Sequence, residues 1–358
     1  MTILVDHPSK PREGGSASEV IEIGLVNSMP DAALEATERQ FIDLVQSAAA
    51  DLPVRLRFFS LPEVPRGERG RRHVEATYGG IDEARAGRLD ALIVTGTEPR
   101  AAALPDEPYW PALAELIDWA EHNTISTIWS CLAAHAAVLH LDGIKRYKLA
   151  EKCSGVFACR KIAEHPLTAG LPADIPVPHS RWNELREGEL VAGGYEVLTR
   201  SSQAGVDAFC RQGRSLFVFF QGHPEYDAAS LSGEYRRDFA RFVRRESEIC
   251  PLPPRGCFDA AMTEALMRLR ASTIRDRRED VLAEFAVATA GPGQRDVWRP
   301  AATRIYRNWL ALIAARKARR VAPAASFVSP APFVERRRRN DPSGYFTGPR
   351  DRRVSARS

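Results

Sequence analysis

The chain has 358 residues, 44% hydrophobic and 27% charged, which is close to globular averages, excludes a wholly disordered protein and allows one large or two ordinary cores. No stretch approaches the ~18 to 20 uninterrupted apolar residues of a membrane-spanning helix. Residues 1–15 carry Asp, Pro, Lys and Arg without an apolar signal core, so a soluble, cytoplasmic protein is expected.

Fifty basic residues against 46 acidic ones give a net charge of +4, but the balance is uneven. From Arg316 to Ser358 twelve Lys and Arg stand against Glu335, Asp341 and Asp351, a surplus of nine that leaves residues 1–315 net acidic. The run Arg336 to Arg339, set among Pro, Ser and Ala, reads as part of a solvated, disordered basic tail over 319–358. Without aromatic interleaving or a recognition motif, salt-sensitive and non-specific nucleic-acid association is the most it predicts. Six cysteines (131, 153, 159, 210, 250, 257) are too few and scattered for a disulfide framework, and none has zinc-ligand spacing. Free thiols and no metal are expected.

Along the chain, a Gly/Ser/Glu-rich leader (1–18) precedes a short apolar run, Glu22 to Ser28, which reads as a first buried strand closed by Met29-Pro30. Leu34 to Ala49 carries Leu34, Phe41, Ile42, Leu44 and Val45 at a helical period. Val54 to Leu61 follows as a strand, and Pro62 to Arg72 as a loop. Ala91 to Val94 leads into Thr95-Gly96-Thr97, as a parallel strand leaves its sheet. Next come a helix from Trp110 to Glu121, a strand Ser126 to Ser130, then Cys131 and a strong helix former, Leu132 to Leu141. Three strand–helix alternations predict a doubly wound, mainly parallel α/β sheet flanked by helices. The second half adds strands at Tyr195 to Thr199 and Ser215 to Phe220, then helices at Leu231 to Val243, Asp259 to Ile274 and Ala302 to Ala318. One α/β domain over 19–318, with a helical extension from about residue 250, is the organisation expected.

Cys131 falls at the sharp junction of a buried strand and a helix. Such an elbow lifts one side chain above the sheet, and the helix N-terminus favours the anionic, nucleophilic form of a thiol. Its neighbours Ser130, Ala133 and Ala134 are small, as close approach requires. Farther on, Ser215 to Phe220 runs into Gln221-Gly222-His223-Pro224-Glu225-Tyr226, placing His223 and Glu225 just past a strand's carboxyl end. That edge of an α/β sheet is where ligands bind, so a Cys131 nucleophile, a His223 base and a Glu225 that orients the imidazole can meet there.

With these residues the chain resembles the class I glutamine amidotransferase fold and, more closely, the homoserine O-acyltransferase family of methionine biosynthesis. The matching stretches are Val94-Thr95-Gly96, Tyr109-Trp110-Pro111, Trp129-Ser130-Cys131, Glu151 to Val156, Pro178-His179-Ser180-Arg181, Gly222 to Asp227 and Arg307-Asn308-Trp309-Leu310, in the family's order over roughly residues 20–315. The resemblance implies that Cys131 is acylated by an acyl-CoA, that His223 accepts the proton and that Glu225 completes the triad. In that ping-pong scheme the acyl group passes from the Cys131 thioester to the hydroxyl of L-homoserine. Acyl-CoA is a co-substrate and no cofactor is expected. A homodimer is implied, with no membrane or specific nucleic-acid partner. Backbone N–H groups of Leu132 and Gly96 stand where oxyanion donors are needed.

Lys152, Ser180 and Arg237 fall at the family's substrate-contacting positions, and an amino-acid carboxylate requires such a cation. Arg100 falls at the family's acyl-selecting position. A guanidinium there pairs with the free carboxylate of a succinyl chain, whereas an acetyl methyl offers it nothing, so charge favours succinyl-CoA over acetyl-CoA. One departure stands out. The family carries lysines soon after its first Met-Pro, where this chain reads Met29-Pro30-Asp31-Ala32-Ala33.

The residues leave other classes open: serine as acceptor, acetyl-CoA as donor, a glutamine amidotransferase-like thiol hydrolase, or a binding protein whose triad has lapsed. The amidotransferases usually flank the nucleophile with glycines, where Trp129 and Ala133 stand here. Because the tail carries no assignable chemistry, deleting residues 320–358 is expected to leave the catalytic constants unchanged in steady-state kinetics, and a large fall in turnover would place the tail in the site.

Overall fold

The computed structural model describes residues 4–6, 20–289 and 296–321, with side chains left undescribed at 4–6, 288 and 321. In chain order its strands and helices are β1 (Leu4–Asp6), β2 (Ile21–Val26), α1 (Asp31–Ala49), β3 (Val54–Ser60), α2 (Glu68–Thr77), β4 (Gly79–Gly80), α3 (Ile81–Ala86), β5 (Ala91–Val94), α4 (Trp110–Asn123), β6 (Ser126–Ser130), α5 (Leu132–Asp142), β7 (Tyr147–Lys161), β8 (Asp174–Glu184), α6 (Glu187–Ala192), β9 (Glu196–Ser201), β10 (Gly205–Gln212), β11 (Leu216–Phe220), α7 (Ser230–Val243), α8 (Ala260–Arg275), α9 (Val281–Ala288) and α10 (Arg299–Val321). The strands make one sheet in the order β1-β3-β2-β5-β6-β11-β10-β9-β7-β8, with β4 also on β3. From β1 to β11 the pairing is parallel, and from β11 through β10, β9, β7 and β8 it is antiparallel.

The central strands β5, β6 and β11 are buried along their whole length. That is why they read as continuous apolar runs. Their side chains alternate between two cores. Ile93, Ile128 and Val218 face one that also takes α1 and α10. Val94, Trp129 and Phe219 face another that takes α4 and α5. Helix α5 (LAAHAAVLHLD) is buried from Leu132 to Val138, and its alanines let it lie close against the sheet. A smaller cluster of Tyr235, Phe239, Phe242, Leu266, Val281 and Phe285 joins α7, α8 and α9.

Several expectations are refined. Within the stretch read as a leader, Leu4–Asp6 adds an edge strand parallel to β3, since the outer edge of β3 offers backbone partners that an apolar Leu-Val pair can take. The Pro62–Arg72 loop ends early, because α2 begins at Glu68. Strands β7, β8 and β10 were not foreseen: β7 is half exposed and irregularly patterned, so it lacks a clear period of two. Helix α10 continues to Val321, with Arg319 and Arg320 in its last turn, where basic residues favour the helix end. The rest of the tail lies outside the described residues, as do residues 1–3 and 7–18 of the leader.

Trp309 is 1% exposed, and its Nε1–H donates to Ser126 Oγ at 2.8 Å, whose hydroxyl donates to the Leu216 carbonyl at 2.7 Å. The helical extension is thus bolted to the strands that carry the site. Trp309→Ala is expected to lose about 3–5 kcal/mol in urea unfolding, and Trp309→Phe, which keeps a ring but not the N–H, substantially less.

Candidate active site

Cys131 sits between β6 and α5 with φ 50° and ψ −109°, a conformation that L side chains rarely adopt and that costs about 1–3 kcal/mol. Its N–H donates to the Phe220 carbonyl at 2.7 Å, and its own carbonyl accepts from His135 N–H at 3.2 Å. The thiol is partly exposed. Beside it, Gly96 follows β5 so closely against the first turn of α5 that a Cβ there would lie 3.0 Å from Leu132 N and 2.9 Å from Leu132 Cβ. Only glycine lets the Gly96 backbone and the first amide of the helix lie side by side next to Cys131.

His223 leaves β11 on the same edge. Its side chain hydrogen-bonds Cys131, and its Nδ1 is 2.8 Å from Glu225 Oε1. Both residues are buried, at 6% and 4% exposure. Burial is the largest single influence on the imidazole and pulls its pKa down. The Glu225 carboxylate, the Cys131 sulfur and the hydrogen bonds to both together outweigh it and hold the ring well above the ordinary histidine value of 6.5. Tyr226 stacks on the same ring with centroids 4.2 Å apart. An imidazolium facing the sulfur is the charge complement of a thiolate.

The backbone around His223 is fixed from below. His223 N–H donates to the Pro178 carbonyl at 2.8 Å, and Gln221 N–H to the Asp207 carbonyl at 2.8 Å. The Asp207 carboxylate approaches Gly222 so near that a Cβ there would stand 2.6 Å from Asp207 Oδ1. The Gln221 side chain accepts from Leu185 N–H at 2.8 Å and donates to the Val206 carbonyl at 2.8 Å. It also meets His135 Nε2 at 3.0 Å, a ring that burial pushes down to about 3 and so keeps neutral.

Of the expected substrate contacts, Lys152 of β7 and Ser180 of β8 meet the α7 face that also carries Arg237. Lys152 Nζ lies 2.7 Å from Asp238 and 3.6 Å from Glu234. Ser180 donates to Glu234, as does Tyr226 at 2.6 Å. Burial raises the Glu234 pKa, but Lys152, Ser180, Tyr226 and His223 outweigh it and keep the carboxyl ionised. Arg237 is 39% exposed and meets Asp238 through Nε and Nη2. Glu234 and Asp238 were missed in the sequence, although one turn apart they share a helix face with Arg237 near one end.

Arg100 is exposed, and what the fold holds is its backbone: Glu107 Oε1 accepts the N–H groups of Arg100 and Ala101 at 2.5 and 2.7 Å. Beside Met29-Pro30-Asp31, where a lysine is lacking, stands the buried guanidinium of Arg66. It donates to the carbonyls of Met29 and Asn27 at 3.0 Å and lies 3.6 Å from Asp31. The antiparallel strands also gather Cys159, His179 and Asp207, all buried, with donor atoms within 4.8 Å of one another, a grouping that no spacing in the sequence announces. Asp207 there accepts from Thr199 Oγ1 at 2.8 Å and burial pushes it up to about 6. The nearby Arg181 charge acts on both His179 and Asp207 and disfavours a second cation.

A family model described as homoserine O-succinyltransferase matches residues 12–319. The chain belongs to the homoserine O-succinyltransferase family. The homoserine O-succinyltransferase of Rhodopseudomonas palustris is 50% identical over 310 residues, which is 87% of this chain and 93% of that one. Its counterpart from Methylorubrum extorquens is 48% identical over 301 residues, 83% and 88% of the two chains. Among solved structures, a glutamine amido transferase from Methylobacillus flagellatus aligns at a TM-score of 0.44 with 14% identity, over 82% of this chain and 95% of that one.

In this homoserine O-succinyltransferase family member the imidazolium of His223 depends on its carboxylate partner, so Glu225→Gln is expected to lower the midpoint of the His223 ring titration followed by NMR. Because the folded value lies above the unfolded one, the protonated pair stabilises the fold below about pH 6.5 and its contribution is lost as pH rises through the folded value. The variant should flatten that part of the stability–pH curve.

Proposed function

We propose that this protein is a homoserine O-succinyltransferase that works through a Cys131 thioester. The observation that carries the reading is the line of Cys131, His223 and Glu225 along the carboxyl edge of β6 and β11, in a chain of this family. The Cys131 thiolate attacks the thioester carbonyl of succinyl-CoA, while the N–H groups of Leu132 and Gly96 receive the developing oxyanion. Collapse breaks the bond to the CoA sulfur, which takes a proton from the His223 imidazolium and leaves as free CoA. Thioester is exchanged for thioester, so the step costs little free energy.

His223, now neutral, accepts the proton of the homoserine hydroxyl as that oxygen attacks the acyl-Cys131 carbonyl. Release of O-succinylhomoserine returns the thiolate and the imidazolium together. Glu225 stabilises the charged ring in each half-reaction and fixes its orientation. The mixed-charge cluster beside the ring suits an amino-acid zwitterion: Glu234 and Asp238 for the ammonium, and Arg237, whose Nη1 is not used in its pair with Asp238, for the carboxylate. Lys152 and Ser180 hold Glu234 in place. A cytoplasmic homodimer without a cofactor belongs to the same reading, on the family resemblance. Among the described residues no helix is long and apolar enough to cross a membrane.

Intact-protein mass spectrometry after brief incubation with succinyl-CoA should show the mass of one succinyl group added to wild type and nothing added to Cys131→Ala, with the adduct discharged by L-homoserine. Turnover in Cys131→Ala should fall by about 10⁴-fold or more. Glutamine hydrolysis without any acyl adduct would replace the reading with an amidotransferase-like hydrolase, and discharge by serine alone would change the acceptor.

A further inference from the structure

Three polar atoms near the nucleophile are buried without a hydrogen-bond partner: Arg146 Nη1, Tyr109 Oη and Glu107 Oε2. Tyr109 is 3% exposed and Glu107 2%. Such atoms are rare in folded proteins, because each forfeits its hydration for nothing, and where they converge they mark a place made for a polar ligand. Two of these, Arg146 Nη1 and the Tyr109 hydroxyl, are donors that call for an acceptor, and Glu107 is the nearby counter-charge. Arg146 lies within electrostatic range of Tyr109, Cys131 and Glu107, and Tyr109 within range of Glu107 and Arg146. Tyr109 also lines a small cavity with Gly96, Thr97 and Leu132, which places it beside the first turn of α5.

Their placement is firm. Tyr109 stands at the N-terminus of α4. Glu107 is tied by the two amides of Arg100 and Ala101. Arg146 precedes β7, and its neighbour Tyr147 is clamped by the Arg186 guanidinium 3.6 Å above its ring and by a hydrogen bond to Glu189. The acceptor-binding charges, Lys152, Glu234, Asp238 and Arg237, form a separate group around α7.

We propose that Arg146 and Tyr109 form the subsite for the distal carboxylate of the acyl group, and thereby select a succinyl over an acetyl thioester. The inference rests on the proposed acyl transfer and names which residues read its donor. A succinyl carboxylate accepts from Arg146 Nη1 and from the Tyr109 hydroxyl. Glu107 balances the buried guanidinium and holds the loop that carries Arg100. An acetyl group leaves both donors buried and unpaired, the situation in which a site rejects an analogue most strongly.

The full-length protein is offered succinyl-CoA and acetyl-CoA in competition, and the ratio of the two Cys131 adducts is read by intact mass. Wild type should favour succinyl. In Arg146→Met the ratio should fall about tenfold or more, with partial recovery in Arg146→Lys. Tyr109→Phe, which removes a single oxygen without changing shape, should lower it several-fold and keeps the test decisive should the Arg146 variants fold poorly. A ratio unmoved by both Arg146→Met and Tyr109→Phe, a wild type that favours acetyl, or a fall in Arg100→Met but not in Arg146→Met would overturn the assignment. Failure of the parent reading looks different: wild type itself would take up no acyl group from either donor.

Discussion

The site depends first on a backbone hydrogen bond, from the Cys131 N–H to the Phe220 carbonyl. It extends the parallel ladder of β6 and β11 one residue beyond their last matched pair, Ser130 and Phe220. Without it Cys131 would be a loop residue free to relax to an ordinary conformation. With it, the chain carrying the sulfur and the strand leading to His223 are tied together at the point where both leave the sheet. The strained φ of Cys131 is the consequence, held by a fully buried strand on one side and a buried helix on the other.

From that tie the two halves of the chemistry separate. On the side of β5 and α4 lie two backbone amides, a cavity and the unpartnered groups of Tyr109, Glu107 and Arg146. On the side of α7 lie paired charges, Lys152 with Glu234 and Asp238, in contact with the His223 ring through Tyr226. The proposed ping-pong reaction needs the acyl donor and the amino-acid acceptor to reach one sulfur in turn, and distinct electrostatic surroundings on either side of His223 suit that proposal. His223 is the shared group. Its charge is set by balance, since burial alone would neutralise it and the carboxylate behind it restores the proton.

Support for His223 comes from the antiparallel half of the sheet. Pro178 in β8 and Asp207 in β10 hold the backbone of residues 221–223, and the Gln221 amide ties the start of that turn to β10, the Leu185 segment and α5. The buried Cys159, His179 and Asp207 group brings side chains of β7, β8 and β10 together, with His179 Nε2 3.9 Å from Cys159 Sγ and 3.5 Å from Asp207 Oδ1. The role of general base proposed for His223 needs a ring held in one orientation, and these strands hold the backbone that carries it.

How much of this was legible in the chain follows from the range of the interactions involved. The buried parallel strands β5, β6 and β11, the elbow at Cys131 and the pair His223 and Glu225 are local features, written as apolar runs that end in Gly, Cys and His, and the sequence determined them by itself. So it did the family, through motifs that keep their order along the chain. Strands β7 and β8 escaped because partly exposed antiparallel strands take their stability from their neighbours and carry no sharp period, and β10 because a buried Asp207 interrupts its apolar run. Only the tertiary structure decided that Glu234 and Asp238 face Lys152 from another element, and that the Arg66 guanidinium stands beside Met29. It alone showed that Arg100 is exposed while Arg146 is turned inward. These are contacts between residues far apart in the sequence, and the free energy of burying a charge depends on what lies across the gap, which no local pattern records.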